Sequence, residues 1–261
     1  MSEELVYVYG IARDAELGGA ETLGPQSLGP GIAGEAVTLL PVAGLAVIVG
    51  PAASKEMAPT RRHMLTHTAV LERALARASV LPMRFGTIAP DAAALGRCVE
   101  GNAPTFEAAL AEIDGRVELG VKASWREGVI FREIVDADPG LRAMRDRLRS
   151  RPASETYYER IELGRRVEEA VTDRRAKEGD ALVAPLRALA ERVIGQKLID
   201  EAMIVNEAFL VRRDREAAFD EAMQDIAARG GERLELRYVG PVPPYNFVSV
   251  RADWLTQPGT R

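Results

Sequence analysis

The cleanest alternation of apolar and polar positions runs over residues 116–126. Val117, Leu119, Val121, Ala123 and Trp125 fall on one side, and Glu118, Gly120, Lys122, Ser124 and Arg126 on the other. A period of two sends successive side chains to opposite faces, so this stretch predicts a half-buried strand. Residues 5–11, rich in Val and Tyr, predict a first strand. Two short apolar runs, 36–40 and 45–49, flank the turn-forming stretch 41–44 and predict a hairpin. Residues 80–88, 202–211 and 234–239 predict further strands, the last with Leu234, Leu236 and Tyr238 on one face. Met64, Thr68, Leu71, Leu75 and Ala78 instead fall at helical spacing and predict a helix over 61–79, with Thr60 as its N-cap. Residues 91–113 are Ala-rich and predict a second helix, with Asp91 where a negative charge suits the helix dipole. Gly101 to Pro104 predict an interruption there, because proline disfavours a helical residue before it. Residues 129–135 either extend the preceding strand or begin a crossing segment.

Glycine and proline punctuate residues 18–34, which predicts a loop. From 139 to 195 the chain is rich in Ala, Leu, Glu and Arg and predicts a helical hairpin, broken at Lys177-Glu178-Gly179-Asp180. One arm, from Ser154 to Ala176, spans roughly 33 Å of helix. Residues 215–229 predict a helix closed by Gly230-Gly231. The run from Gly240 to Pro244 excludes regular structure, and residues 245–250 predict a short edge strand. The fold class expected is α+β. No Gly/Ser linker divides the chain, so the boundary is placed at Asp114-Gly115. That gives an N-terminal α+β domain over 1–115 and a second domain over 116–261. The second, with its strand–helices–strand–helix–strand order, predicts a modified ferredoxin-like sandwich with a helical insertion over about 139–195.

Composition narrows the function classes. The chain has 261 residues, 47% hydrophobic and 28% charged, which is ordinary for a globular protein, and only 5% aromatic, so the core rests on Ala, Leu, Val and Ile. A net charge of −5 argues against a nucleic-acid partner. The one basic run, 142–151, has acids around it and reads as a solvated helix face. A single cysteine, Cys98, excludes an internal disulfide and a multi-cysteine metal site, and reads as a buried inert thiol. The opening residues lack the pattern of a signal peptide, and no apolar run is long enough to span a membrane, so a cytoplasmic protein is expected.

No phosphate-binding glycine loop, dinucleotide fingerprint, nucleophile elbow, zinc-protease helix or calcium loop is present, so neither catalysis nor a cofactor is expected. His63 and His67 sit four apart and could share a metal, which leaves a metal-dependent hydrolase as an alternative. Against it, Glu72 points round the helix from His67, and His67 lies between Met64 and Leu71 on the apolar stripe, as a packing histidine would. A ferredoxin-like module binding a small ligand is a further alternative. Arg84, Glu118 and Lys122 form a candidate polar patch for a partner or a small anion, or else a surface charge ladder. Tyr157 and Tyr158, near Leu163 and Val167, read as core packing. Pro241, Pro244, Tyr245 and Phe247 belong to a stiff apolar segment that either caps a core or presents a docking edge.

Several of these segments carry a resemblance. Leu81-Pro82-Met83-Arg84-Phe85-Gly86-Thr87, Val117-Glu118-Leu119-Gly120-Val121-Lys122 and Gly240-Pro241-Val242-Pro243-Pro244-Tyr245-Asn246-Phe247 resemble, in order, motifs of the gas vesicle GvpF/GvpL family, with Val242 where a tryptophan is common. Tyr7-Val8-Tyr9-Gly10-Ile11 resembles the family's opening strand, and Asn206-Glu207-Ala208-Phe209-Leu210-Val211 a later one. The resemblance implies an N-terminal α+β domain, a C-terminal modified ferredoxin-like domain and no catalytic residues. It further implies a part in forming gas vesicles, as an assembly or minor shell component, through contact with the small hydrophobic shell protein GvpA and other accessory proteins. Arg84, Glu118, Lys122, Pro241, Pro244, Tyr245 and Phe247 are the expected contact residues.

Overall fold

The computed structural model describes residues 4–18 and 28–248. They condense into two compact units. One takes the residues up to Leu119 together with those from Gly240, and the other takes Gly120–Val239. The divisions therefore fall inside two strands rather than at Asp114-Gly115.

The first unit is built on an antiparallel sheet. Strands β1 (Val6–Arg13), β2 (Thr38–Val42), β3 (Leu45–Pro51) and β4 (Val80–Pro82) take the order β2-β3-β1-β4, and β5 (Ile88–Ala89) also pairs with β1. The interior strand β1 buries six of its eight residues because helices cover both of its faces. On one side Val8, Ile11, Val47 and Leu81 pack with Leu95, Val99, Phe106 and Leu110 of α2 (Ala92–Ile113). On the other, Tyr7, Tyr9 and Ile48 pack with Val70, Leu71 and Ala74 of α1 (Arg61–Leu75). Gly10 is required between these layers, since a Cβ there would lie 2.8 Å from the Leu81 carbonyl oxygen. The expected hairpin forms β2 and β3, turning at Ala43 and Gly44, both at positive φ. Thr60 caps α1 by accepting from His63 N at 3.2 Å.

Two expectations change here. The strand predicted over 80–88 is two short strands with a turn between them, closed by Thr87 N and Oγ1 donating to the Arg84 carbonyl at 3.2 and 2.7 Å. Helix α2 runs unbroken through Pro104. Its apolar stripe stays buried along the whole length, so tertiary packing outweighs the one backbone bond that proline cannot make. Cys98, on this helix, is half-buried against the same core.

In the second unit, β6 (Arg116–Trp125), β7 (Arg192–Gly195), β8 (Met203–Arg212) and β9 (Leu234–Val242) form a sheet in the order β7-β8-β6-β9. Residues 129–135 are helical, within α3 (Val129–Ala137). Asp138 then caps α4 (Pro139–Arg149), accepting from Gly140 N and Leu141 N at 2.7 and 3.1 Å, with Pro139 in the first turn. A 31-residue helix, α5 (Tyr157–Arg187), continues straight through Gly179, where a break was expected. Strand β7 lies within the stretch read as helical, and α6 (Glu216–Gly230) ends at Gly231 as its sequence predicts. β9 persists through Gly240-Pro241, whose peptide is cis, to Val242. It lies at the end of the sheet, where proline is tolerated. Tyr157 and Tyr158 are not core residues: they are 62% and 82% exposed. Residues 245–247 turn, Tyr245 N donating to Pro243 O and Phe247 N to Pro244 O at 2.7 and 3.2 Å. The end of the edge strand expected there and most of the loop expected over 18–34 lie outside the described residues.

Candidate partner-binding surface

Two family-like segments of the first unit, the turn at 83–87 and the loop at 240–247, are each anchored by a buried polar group. Tyr7 anchors the turn. Its hydroxyl accepts from Gly86 N at 3.0 Å and shares a second hydrogen bond with His67 Nδ1 at 3.0 Å. His67 is 3% exposed, stacks on Tyr9 and meets Tyr7 and Phe85 edge-on. Burial pulls its pKa down from 6.5 to about 4, partly offset by the backbone of Met83. Burial likewise pushes the Tyr7 hydroxyl up, with the Gly86 hydrogen bond opposing.

Glu118 anchors the loop. It is 5% exposed, and its carboxylate accepts from Asn246 N at 2.8 Å and Asn246 Nδ2 at 2.5 Å. Burial raises its pKa, and the two Asn246 hydrogen bonds oppose the rise. A surface charge ladder is thus excluded for Glu118. Gly240 fits against the same strand: at φ 128° its Cβ position lies 2.7 Å from the Glu118 carbonyl oxygen, so a side chain would be both strained and blocked.

From this frame some of the expected contact residues reach the surface and others do not. Arg84 is exposed in the turn, and Pro241 is exposed in the loop. Tyr245 is 36% exposed, while burial raises its hydroxyl's pKa, helped by the charges of Tyr7, Glu118 and Glu72. Pro244 and Phe247 are buried and shape the loop from beneath. Lys122 is half-buried on β6 in the second unit. The two histidines do not converge. His63 Nδ1 donates to the Ala58 carbonyl at 2.9 Å, whereas His67 is committed to Tyr7. Among the described residues no group of three or more His, Cys, Asp and Glu is placed to hold a metal ion.

A second polar cluster has no counterpart among the sequence motifs. In the second unit Arg233 forks onto Glu133 at 2.7 Å through Nε and Nη2 and reaches Glu178 at 2.8 Å. Arg174 binds Glu178 at 2.5 Å, and Trp125 Nε1 donates to it at 2.9 Å. Arg233 chiefly holds Glu133 below the usual carboxylate range. For Glu178 burial acts upward, but the bonds from Arg174, Trp125 and Arg233 outweigh it and the pKa falls. These residues come from α3, α5, β6 and the approach to β9, so the cluster ties helices to sheet and is architectural. No short spacing in the sequence could have signalled it.

Comparison with known proteins matches residues 5–249 to the family described as gas vesicle synthesis protein GvpL/GvpF. Gas vesicle protein F of Streptomyces sp. (strain CB03234) is 35% identical over 93% of this chain and 98% of its own length. Gas vesicle protein L of the same strain is 28% identical over 97% of this chain and 96% of its own. The crystal structure of GvpF from Anabaena sp. PCC7120 superposes with a TM-score of 0.79 at 24% identity, covering 95% of this chain and 99% of that one, which establishes a shared α+β fold.

Proposed function

As the chain belongs to the GvpL/GvpF family of gas vesicle synthesis proteins, we propose that it acts in gas vesicle formation as an assembly or minor shell protein. In this reading it binds the small hydrophobic shell protein GvpA and other accessory gas vesicle proteins, in the cytoplasm and at the shell, and turns over no substrate. The contact surface is the one carrying Arg84, Pro241 and Tyr245, shaped from below by Glu118, Pro244 and Phe247, with Lys122 as a further contact. No described helix is long and apolar enough to cross a membrane, in keeping with a protein that works at a shell rather than within a bilayer.

The observation that carries this reading is the Glu118 anchor. Burying a carboxylate is costly unless its hydrogen bonds are satisfied. Here both bonds go to a single exposed loop residue, Asn246. They hold that loop in one shape, and a preorganised surface loses less freedom on binding. An apolar shell subunit needs such a partner, because exposed apolar edges aggregate before they are built into a wall.

The test is co-expression with GvpA and measurement of co-purified shell protein at moderate salt. The parent chain is expected to capture it. An Arg84→Glu, Tyr245→Ser double variant with unchanged melting temperature is expected to lose about tenfold or more of the capture, a loss near 1.4 kcal/mol. Undiminished capture by the folded double variant would remove this surface from the proposal. No capture by the parent would remove direct shell-protein binding itself.

A further inference from the structure

The lobe made by α4, the 3-10 turn Ala153–Glu155 and the start of α5 differs in charge from the chain as a whole. Residues 139–166 hold eight arginines against four acids, in a protein of net charge −5. The lobe is also firmly built. Leu141, Leu148 and Thr156 are buried. Arg160 ties the corner, donating to the Leu148 carbonyl at the end of α4 at 2.8 Å and to Thr156 Oγ1 at 3.0 Å. Arg147 and Arg151 both reach Glu159, at 3.4 and 3.0 Å.

On the outside of this corner stand Tyr157, Tyr158 and Ile161, exposed by 62%, 82% and 53%. The two rings meet edge to face with centroids 5.4 Å apart. Helical spacing puts Ile161 beside both of them. Tyrosine and arginine dominate the energetics of protein interfaces. Tyrosine supplies a large contact area with only two side-chain torsions to fix, so its cost of ordering on binding is low.

We propose that this lobe docks an acidic, amphipathic segment of a partner protein. The segment's apolar side chains cover Tyr157, Tyr158 and Ile161, and its carboxylates meet the surrounding arginines. Arg149 is the foremost of these, because it is exposed and makes no ion pair among the described residues. The net positive balance of the lobe selects acidic over basic segments. Nucleic acid fits less well: Arg145, Arg147, Arg151 and Arg165 already face Asp146, Glu159, Glu162 and Glu169, carboxylates that a phosphate backbone would meet as well. The proposal uses none of the residues assigned to shell-protein contact and stands or falls independently of that reading.

Fluorescence anisotropy of labelled synthetic peptides tests it on the full chain. Two amphipathic helices of about 20 residues carry the same leucine stripe, flanked by glutamate in one and lysine in the other. The glutamate peptide is expected to bind at least about tenfold more tightly than the lysine peptide. A Tyr157→Ser, Tyr158→Ser variant and an Arg149→Glu variant, each with the parent's melting temperature, should weaken that binding about tenfold and severalfold respectively. Equal binding of the two peptides, or undiminished binding by the tyrosine variant, overturns the proposal. So does binding of oligothymidylate or phosphatidylglycerol vesicles in the absence of glutamate-peptide binding. Dimerisation that Tyr158→Ser abolishes would assign the surface to a second copy of the chain, and overturns it too.

Discussion

The Tyr7 hydroxyl bonds both Gly86 N and His67 Nδ1, and the burial of His67 beside it disfavours a charged imidazole. That makes His67 a measurable contributor to pH dependence. Its folded pKa, about 4, lies below its ordinary 6.5, so its contribution is complete above 6.5 and is lost as pH falls through 4. Between about pH 7.5 and about pH 5 the parent is expected to lose about 2 kcal/mol of stability from this group alone. Urea unfolding at the two pH values, on the parent and on His67→Gln, isolates the term, and an equal loss in the variant would clear His67 of it. Glu118 acts with the opposite sign. Its pKa is raised, so its contribution is complete below the unfolded value of 4.5 and declines as pH rises through the folded one. The parent-minus-variant difference is therefore the quantity to compare. At this scale the sequence was readable for His67, whose place on the apolar stripe of α1 marked it as a packing residue. It was not readable for Glu118. Period two assigns a face but not a cover, and the cover here is Asn246, 128 residues away.

Elements were legible where periodicity ran long, as in α1, β6 and β8, and illegible where one residue had two meanings. By sequence Gly179 signals a helix stop. In α5 it is instead a point of close approach to β8, where a Cβ would lie 3.3 Å from the Ile204 carbonyl oxygen and 3.5 Å from its Cγ2. By sequence Pro104 signals a break, yet a buried stripe on both sides of it carries α2 through. β7, only four residues long, is too short to show a period, and residues 129–135 are apolar enough for strand or helix until packing decides. Tyr157 and Tyr158 suggest a core because aromatic side chains usually find one, but the stripe α5 buries is Val171, Gly179, Val183 and Leu186. The role given to Gly179 has a direct consequence. Gly179→Leu must push α5 away from β8 and is expected to destabilise by about 2 kcal/mol, within the usual cost of overpacking. Gly179→Ala sets a gain in helix propensity of about 1 kcal/mol against a contact only slightly too close, and should change stability far less. Equal melting temperatures for the leucine and alanine variants would mean that the approach at Gly179 is not tight.

At the scale of the whole molecule, the first unit is closed by two distant stretches of chain, the residues up to Leu119 and those from Gly240, while Gly120–Val239 is continuous. A boundary sought from linkers and composition places one cut at Asp114-Gly115 and cannot place the return, because a β-strand passing from one core to another carries no change of composition. The return segment is what completes the first unit's surface. Pro243, Pro244 and Phe247 are buried in it, Asn246 satisfies the Glu118 carboxylate, and Gly240 fits against the Glu118 backbone. Ending the chain after Val239 therefore removes a buried aromatic worth about 2 kcal/mol and leaves a carboxylate without its partners at a further cost of about 1–3 kcal/mol. At 2–4 °C per kcal/mol, the first unit should melt roughly 10 °C lower. The second unit keeps the Glu133, Arg174, Glu178, Arg233 and Trp125 cluster intact and should hold its own transition. Limited proteolysis followed by mass spectrometry separates the two effects. Early cleavage of the truncated chain is expected before Leu119, with Gly120–Val239 surviving as a core fragment. Uniform protection across both units would show that the segment from Gly240 is an appendage to the first unit rather than part of its structure.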